Sequence, residues 1–356
     1  MRIQDILSAA LTGYTALLGD ASLLNSPLVS SSLKWFGHES DACDAAIAQG
    51  LQGYQNITLR SFNTSSKSMV DRTHLVYLPK SYDGSRKLPT LLTLHPTQGN
   101  PQQIIDDSHL EALADREGIV LLSPRGGVEF EITEHNPWQG WGWTVPYVPS
   151  IINTTYPGST EDMAYLLQVL HHAQSSFCVD KRLSYSFGHS CGARMSTALA
   201  CDPHASNSFA AVSPANGIRA GPARPDLQQP HRQGQKACRP SHNVAIVSIH
   251  GTNDDIDPWN GNDNPQWGYS VPTALNVWSD ILQCESPSVE QLPGLNVTVT
   301  KSTYQCAGPH GSSSSPSAAN SITQFTVTDG WHYWYNDIAG FDEAQTLWDE
   351  LKQHSL

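Results

Sequence analysis

Apolar and polar residues repeat along the chain with two periods. Compact apolar runs bounded by turn residues predict strands, and apolar residues three and four positions apart predict helices. The strongest helical pattern covers residues 161–177, where Met163, Leu166 and Leu170 share one face. Strands are predicted at 56–60, 74–79, 88–95, 119–123, 183–187, 209–213, 244–250, 297–304 and 322–328, and further helices at 106–117 and 270–283. Because strands alternate with helices, we expect an α/β fold with a mostly parallel central sheet flanked by helices, and antiparallel strands at its ends.

The stretch 183–199, which reads LSYSFGHSCGARMSTAL, carries the most specific chemical signal. A strand-like run passes through the sequence GHSCG into residues that favour a helix. This is the strand, sharp turn and helix of a nucleophile elbow, G-x-S-x-G. A side chain at Gly188 or Gly192 would collide with neighbouring backbone, and the turn strains the serine between them. We therefore predict Ser190 as a nucleophile. The alternative is a glycine-rich turn that closes a parallel strand.

Hydrolases with such an elbow carry the other two catalytic groups in the chain order Ser, acid, His. The predicted strand 244–250 runs into an acidic turn. This turn would place a carboxylate at the carboxyl edge of the sheet. We predict Asp254 as the acid, with Asp255 and Asp257 as competitors, or else an acidic loop that only caps the next helix. His332 follows the last predicted strand, so we predict it as the base whose tautomer the acid holds. His250, within a strand end, is interpreted as a buttress of the acidic loop.

Acyl transfer also needs two backbone N–H groups to stabilise an oxyanion. We expect one from Cys191, which follows the nucleophile at the start of a helix. The other should come from the loop after strand 88–95, where Pro96 has no N–H and Thr97 is therefore the predicted donor.

A segment rich in tryptophan and small residues follows strand 119–123 and predicts an aromatic wall above the sheet. Such a wall suits a phenolic acyl group, a sugar face or a polyester chain. We expect Trp141, Trp143 and Trp331 to bind substrate, the last beside the predicted base. The alternative is that these tryptophans pack the loop onto its own domain.

Length and charge narrow the class of protein. The 356 residues suit one large domain, and we expect an N-terminal extension over 1–45 and a single catalytic domain over 46–356. Only 24 residues follow His332, so no further binding module is expected downstream. The formal charge of −13 argues against nucleic acid and anionic membrane as partners. No stretch is long and apolar enough to span a membrane, and neither a cofactor nor a metal is expected.

Cysteines and glycosylation sequons favour a secreted protein. None of the seven cysteines forms a C-x-x-C pair, so zinc is not expected. Cys284 and Cys306 flank a short excursion between a helix and a strand, and we expect them to be bridged. The N-terminus is a weak signal peptide, with an interrupted apolar run over 6–18 and a possible cleavage site near Ala21. Sequons occur at Asn56, Asn63, Asn153 and Asn296.

Several motifs in chain order resemble those of secreted α/β-hydrolases of the feruloyl esterase and polyhydroxybutyrate depolymerase type, over about residues 43–340. They are Tyr77-Leu78-Pro79 with Tyr82-Asp83, Leu94-His95, Cys178-Val179-Asp180, Ala198-Leu199-Ala200-Cys201, His250-Gly251-Thr252 with Asp254 and Pro258, and Gly330 with His332. The chain departs from the family at Pro96, where a glycine is usual, and at Cys191, where an aromatic or small residue is frequent.

The resemblance implies a secreted carboxylic-ester hydrolase that acts on plant cell-wall esters, feruloyl or acetyl, through Ser190, Asp254, His332 and an acyl-enzyme. A polyhydroxybutyrate or other polyester depolymerase is the alternative enzyme. A pseudo-hydrolase that binds carbohydrate without cleaving it is a different class, and the intact catalytic residues argue against it. We expect a monomer whose partner is its ester substrate.

The resemblance also implies a bridge between Cys178 and Cys201. An extended strand after Cys178 would climb about 35 Å, and the helix that returns would descend only about 16 Å. The implied bridge therefore requires the chain after Cys178 to loop back. Cys43 and Cys238 would then form the third pair, leaving Cys191 as a buried free thiol whose side chain points away from the cleft.

Overall fold

The computed structural model describes residues 42–44, 51–63, 68–130, 139–146, 148, 161–221, 238–264, 266, 268–307, 321–336 and 338–356. The predicted signal peptide, Asn153 and the side chain of Asn63 lie outside these residues. In chain order the elements are β1 (Gly53–Asn63), β2 (Ser68–Leu78), β3 (Leu88–Leu94), α1 (Pro101–Asp107), α2 (Leu110–Glu117), β4 (Val120–Pro124), β5 (Val128–Phe130), β6 (Gly140–Gly142), α3 (Glu161–Ser176), β7 (Val179–His189), α4 (Cys191–Cys201), β8 (Ala211–Ala215), β9 (Ala245–Gly251), α5 (Val271–Leu282), β10 (Ser288–Gln291), β11 (Val299–Gln305), β12 (Ser321–Val327) and α6 (Glu343–Leu351).

Ten strands form one sheet in the order β1-β2-β4-β3-β7-β8-β9-β12-β11-β10. The six strands from β4 to β12 in this order run parallel to one another. The strands outside them, β1 and β2 at one end and β10 and β11 at the other, pair antiparallel. The predicted mostly parallel sheet with antiparallel additions at its ends is therefore confirmed. Because parallel strands end at one edge, the loops after β3, β7, β9 and β12 meet there.

Helices cover both faces of the sheet, so the parallel strands are buried on both sides, as their apolar sequences require. On one face, α3, α4 and α5 bury Leu166, Met195 and Trp278. On the other face, α2 and α6 bury Leu113 and Trp348. None of the helices in the described ranges is long and apolar enough to cross a membrane.

The helix predicted over 106–117 is divided in two. Ser108 donates its hydroxyl to the carbonyl of Ile104, and His109 adopts a left-handed conformation with φ of 56°. The chain therefore turns between α1 and α2 instead of continuing one helix. The short strands β5, β6 and β10 and the helix α6 were not predicted from the sequence.

The disulfides correct part of the predicted pairing. The bridge between Cys284 and Cys306 and the buried free thiol of Cys191 are confirmed. The pairs Cys178–Cys201 and Cys43–Cys238 are wrong, because Cys178 before β7 lies against Cys43 and Cys201 at the end of α4 lies against Cys238, with Cα–Cα distances of 4.4 and 4.5 Å. The observed bridges are Cys43–Cys178, Cys201–Cys238 and Cys284–Cys306.

Candidate active site

The sharpest turn in the site joins β7 to α4 at Ser190. Its backbone has φ of 57° and ψ of −118°, a conformation that is strained for any residue with a Cβ. A Cβ on Gly188 would collide with the Gly192 carbonyl, and one on Gly192 would collide with the carbonyl of Leu94 in β3. The two glycines therefore let α4 start directly against the ends of β3 and β7, which is the geometry of a nucleophile elbow.

The loops after β9 and β12 bring Asp254 and His332 together. His332 Nδ1 lies 2.8 Å from Asp254 Oδ2, and the carboxylate is buried while the imidazole side chain is 12% exposed. The backbone N–H groups of Ile256 and Asp257 donate to Asp254 Oδ1 at 3.0 and 2.7 Å. Burial raises the pKa of Asp254, but hydrogen bonds from His250 and His332 outweigh it and hold this pKa well below its usual range. The carboxylate is thus ionised and aimed at the imidazole.

The His189 ring links the elbow to His332. Its centroid lies 5.1 Å from that of His332 and 4.3 Å from that of Trp334. Asn216 accepts from the Gly251 N–H at 3.3 Å, which orients its amide so that Nδ2 donates to His189 Nε2 at 3.4 Å. Burial, and then the nearby His332, hold the pKa of His189 well below its ordinary value. A neutral His189 adds no second positive charge beside His332.

The loop after β3 is fixed by His95, a role that the sequence analysis did not assign. Its Nδ1 donates to the Pro96 carbonyl at 2.8 Å, while its Nε2 accepts from the Gly126 N–H at 3.0 Å. Burial lowers the pKa of His95 to about 4, so the ring stays neutral and keeps this tautomer. The predicted donor Thr97 follows in the same loop, and its side chain bonds the buried Cys191 thiol, whose pKa burial raises.

The three predicted substrate-binding tryptophans occupy different environments. Trp143 is 2% exposed and donates its indole N–H to the His95 carbonyl at 2.8 Å, so its prediction as a substrate-binding residue is wrong. Trp141 is partly exposed. Its backbone pairs with that of Gly99, two residues after the predicted oxyanion donor Thr97. Trp331 is 48% exposed and immediately precedes His332.

Asp255 and Asp257, the alternatives to Asp254 as the acid, lie in different environments. Asp255 is exposed. Asp257 is buried and forms an ion pair with Arg194, one turn into α4 from the elbow. Arg219 lies nearby over the Tyr269 ring, at 5.4 Å, and burial followed by the charge of Arg194 lowers its pKa to about 9. Asp257 is therefore the counter-charge of buried arginines, and only Asp254 contacts His332.

A second buried carboxyl supports the His332 loop from below. Glu343, at the start of α6, accepts the Tyr335 N–H at 2.7 Å. The Tyr335 hydroxyl in turn donates to the Trp331 carbonyl at 2.7 Å. Burial raises the pKa of Glu343 to about 8. The capping residue Asp342 and the apolar spacing of α6 were available sequence signals for this helix, but nothing in the sequence marks the glutamate as buried.

No model of a known protein family matches the chain. In sequence it is 30% identical over 181 residues to a bifunctional acetylxylan esterase/xylanase of Neocallimastix patriciarum, covering 51% of this chain and 21% of that protein. It is 24% identical over 291 residues to feruloyl esterase B of Piromyces equi, covering 80% of this chain and 46% of that protein. In structure, the acetyl xylan esterase from Aspergillus awamori matches with a TM-score of 0.50 at 13% identity, covering 84% of this chain and 99% of the other.

The fold is that of an α/β-hydrolase, as the sequence predicted. More particularly, the chain is related in sequence to proteins named acetylxylan esterase and feruloyl esterase. It spans less than half the length of these two relatives.

Proposed function

We propose that the chain is a secreted serine carboxylic-ester hydrolase that acts on feruloyl or acetyl esters of plant cell-wall polysaccharides. The observation that carries the proposal is the bond of 2.8 Å between His332 Nδ1 and the buried Asp254, beside a strained serine elbow. A carboxylate that orients an imidazole next to an activated serine is the arrangement that acyl transfer requires. The names of the sequence relatives support the class of ester.

The reaction follows from the tautomer of His332. Its Nδ1–H donates to Asp254, so Nε2 is free to take the proton of Ser190 Oγ as that oxygen attacks the ester carbonyl carbon. The resulting oxyanion is stabilised by the N–H groups of Thr97 and Cys191 and by the N-terminal dipole of α4. His332 then gives its proton to the departing alcohol, which leaves the acyl group on Ser190. Water repeats the steps and releases the acid.

Two exposed or partly exposed indoles suit the acyl or sugar part of the substrate. Trp331 adjoins the base, and Trp141 adjoins the oxyanion loop with the Arg125 guanidinium 5.0 Å from its ring centroid. Flat aromatic faces beside the base and beside the oxyanion loop suit a ferulate ring or the face of a xylose residue.

The test is a comparison of Ser190→Ala with Ser213→Ala. Ser213 is a buried serine on the neighbouring strand β8, and its hydroxyl has no hydrogen-bond partner in the described part of the chain. Released ferulate, acetate and hydroxybutyrate are measured with methyl ferulate, acetylxylan and polyhydroxybutyrate. Ser190→Ala should lose several orders of magnitude in kcat, whereas Ser213→Ala should resemble the wild type. More than a few per cent of residual activity in Ser190→Ala would refute the assignment.

Secretion is a further part of the proposal. Three disulfides suit an oxidising compartment, and the sequon residues Asn56 and Asn296 are exposed. We also propose a monomer with one catalytic domain over 46–356. Expression in a secreting eukaryotic host should yield a protein whose mass falls on treatment with an N-glycosidase, and an unchanged mass would argue against glycosylation.

A further inference from the structure

We infer that His250 is a positioning residue for His332, acting through the one carboxylate oxygen that the two imidazoles share. The inference rests on the proposed function and adds a second histidine to its catalytic apparatus. His250 lies at the end of β9, and His332 lies in the loop after β12, the neighbouring strand of the sheet.

The hydrogen bonds of His250 fix its tautomer. Its Nε2 lies 3.1 Å from Asp254 Oδ2 and 2.8 Å from the carbonyl oxygen of Asp257. Both neighbours are acceptors, so Nε2 must carry the proton that they share. Nδ1 is buried and has no hydrogen-bond partner among the residues that the structure describes, which suits an unprotonated nitrogen. His250 Nε2 is thus a hydrogen-bond donor to Asp254.

The carboxylate of Asp254 is divided between these donors. Oδ2 accepts from both imidazoles, while Oδ1 is occupied by two backbone N–H groups. Each donor withdraws negative charge from the oxygen that it contacts, and in a buried site this effect is large. The bond from His250 therefore weakens the attraction between Asp254 and a protonated His332. Removing the His250 donor should therefore strengthen that attraction.

The groups around Asp254 and His332 do not replace His250 as a side-chain donor to the carboxylate. Within the described part of the chain, the other titratable or charged groups around the pair are His189, Arg194, Asp257, Asp329, Tyr335 and Glu343. Burial keeps His189 neutral, and Glu343, with its pKa raised to about 8, is protonated on the acid side of neutrality. The charges of Asp257 and Arg194 are paired with each other. The hydrogen bond from His250 is therefore the interaction that distinguishes Asp254 from a carboxylate bound to one histidine.

The test is the pH profile of kcat/KM for a soluble ester such as p-nitrophenyl acetate. His250→Ala should move the acid limb to higher pH by about one unit, which is roughly a tenfold loss on that limb. The plateau at higher pH should change less. His250→Gln supplies an amide N–H at a similar reach and should restore most of the shift. His242→Ala is the matched control. His242 bonds the Phe209 carbonyl before β8 and β9 begin, at the edge of the sheet opposite the site, so this variant should leave the acid limb in place.

A uniform loss of activity with an unmoved acid limb would overturn the inference, because it would make His250 only a structural support. Proton NMR gives a readout that does not depend on activity. The wild type should show two downfield ring N–H signals, and His250→Phe, which keeps a ring but cannot donate, should lose one and shift that of His332. An unshifted His332 signal would also overturn the inference, even if His250→Ala fails to fold. A wild type without esterase activity would instead refute the proposed function while leaving the NMR test intact.

Discussion

Replacing Asp257 by asparagine should cost stability, whereas the same replacement at Asp254 should cost catalysis. Asp257 is paired with Arg194, and the two side chains are only 6% and 2% exposed. The Nε and Nη1 atoms of Arg219 have no hydrogen-bond partner among the described residues. The Asp257 carboxylate also interacts with the charge of this guanidinium group. Asparagine has a similar shape but removes the negative charge that pairs with Arg194, so the attraction within this buried ion pair would be lost.

The expected loss can be worked from this arrangement. Removing one partner of a buried ion pair costs about 3–5 kcal/mol. For a domain of about 300 residues, each kcal/mol moves the midpoint of thermal unfolding by about 1.5 °C, so Asp257→Asn should lower Tm by roughly 5–8 °C. Asp254→Asn retains an oxygen for the backbone N–H groups, so its Tm should fall less. Its amide would favour the wrong tautomer of His332, and kcat should fall by about 10⁴.

The assay measures circular dichroism melts and initial rates on the same preparations of both variants, with rates taken well below either Tm. The assignment of the acid is refuted if Asp257→Asn abolishes hydrolysis at an unchanged Tm while Asp254→Asn remains active. An almost unchanged Tm in Asp257→Asn would contradict the role of Asp257 as the counter-charge of Arg194.

Three further predictions follow from buried groups. Burial raises the pKa of Glu343 from 4.5 to about 8. Its contribution to the free energy of unfolding is therefore complete below about pH 4.5 and is lost as pH rises through 8. The Tm of Glu343→Gln should rise relative to that of the wild type across this pH range, and a constant difference between the two Tm values would contradict the prediction. Trp143→Ala should cost about 3–5 kcal/mol, whereas Trp141→Ala should mainly raise KM for feruloyl esters, as unfolding and steady-state kinetics can check. Cys191→Ala should keep most activity, because its contribution is a backbone N–H; a loss as large as that of Ser190→Ala would show that the thiol itself is needed.

The parts of the site that the sequence predicted depend on local geometry or on strand order. The serine elbow is a five-residue motif whose glycines have a steric reason in any strand-to-helix turn. Asp254 and His332 are 78 residues apart, yet both follow strands of a parallel sheet, whose carboxyl ends must meet at one edge. Their contact could therefore be expected without any knowledge of distances.

The remaining parts depend on packing between segments that no local pattern connects. The sequence treats Trp141 and Trp143 alike, and only the His95 carbonyl, 48 residues away from Trp143, decides that the second is buried. The disulfide error is of a different kind. The lengths of strand and helix argued against Cys178–Cys201, and the observed bridges are Cys43–Cys178 and Cys201–Cys238, so the pairing implied by the resemblance to a family was wrong.

The three disulfides divide the chain into covalently closed loops, 43–178, 201–238 and 284–306. Ser190, Asp254 and His332 all fall in the open segments between or after them. A protease that cuts one peptide bond inside a closed loop releases no fragment, and the nicked chain separates only on reduction. A cut must fall in 179–200, in 239–283 or after 306 to divide these three residues from one another. In the first two of these segments, β7, α4, β9 and α5 bury much of the backbone that a protease would need to unfold. A nick inside one of the three closed loops would therefore leave Ser190, Asp254 and His332 on one covalent molecule.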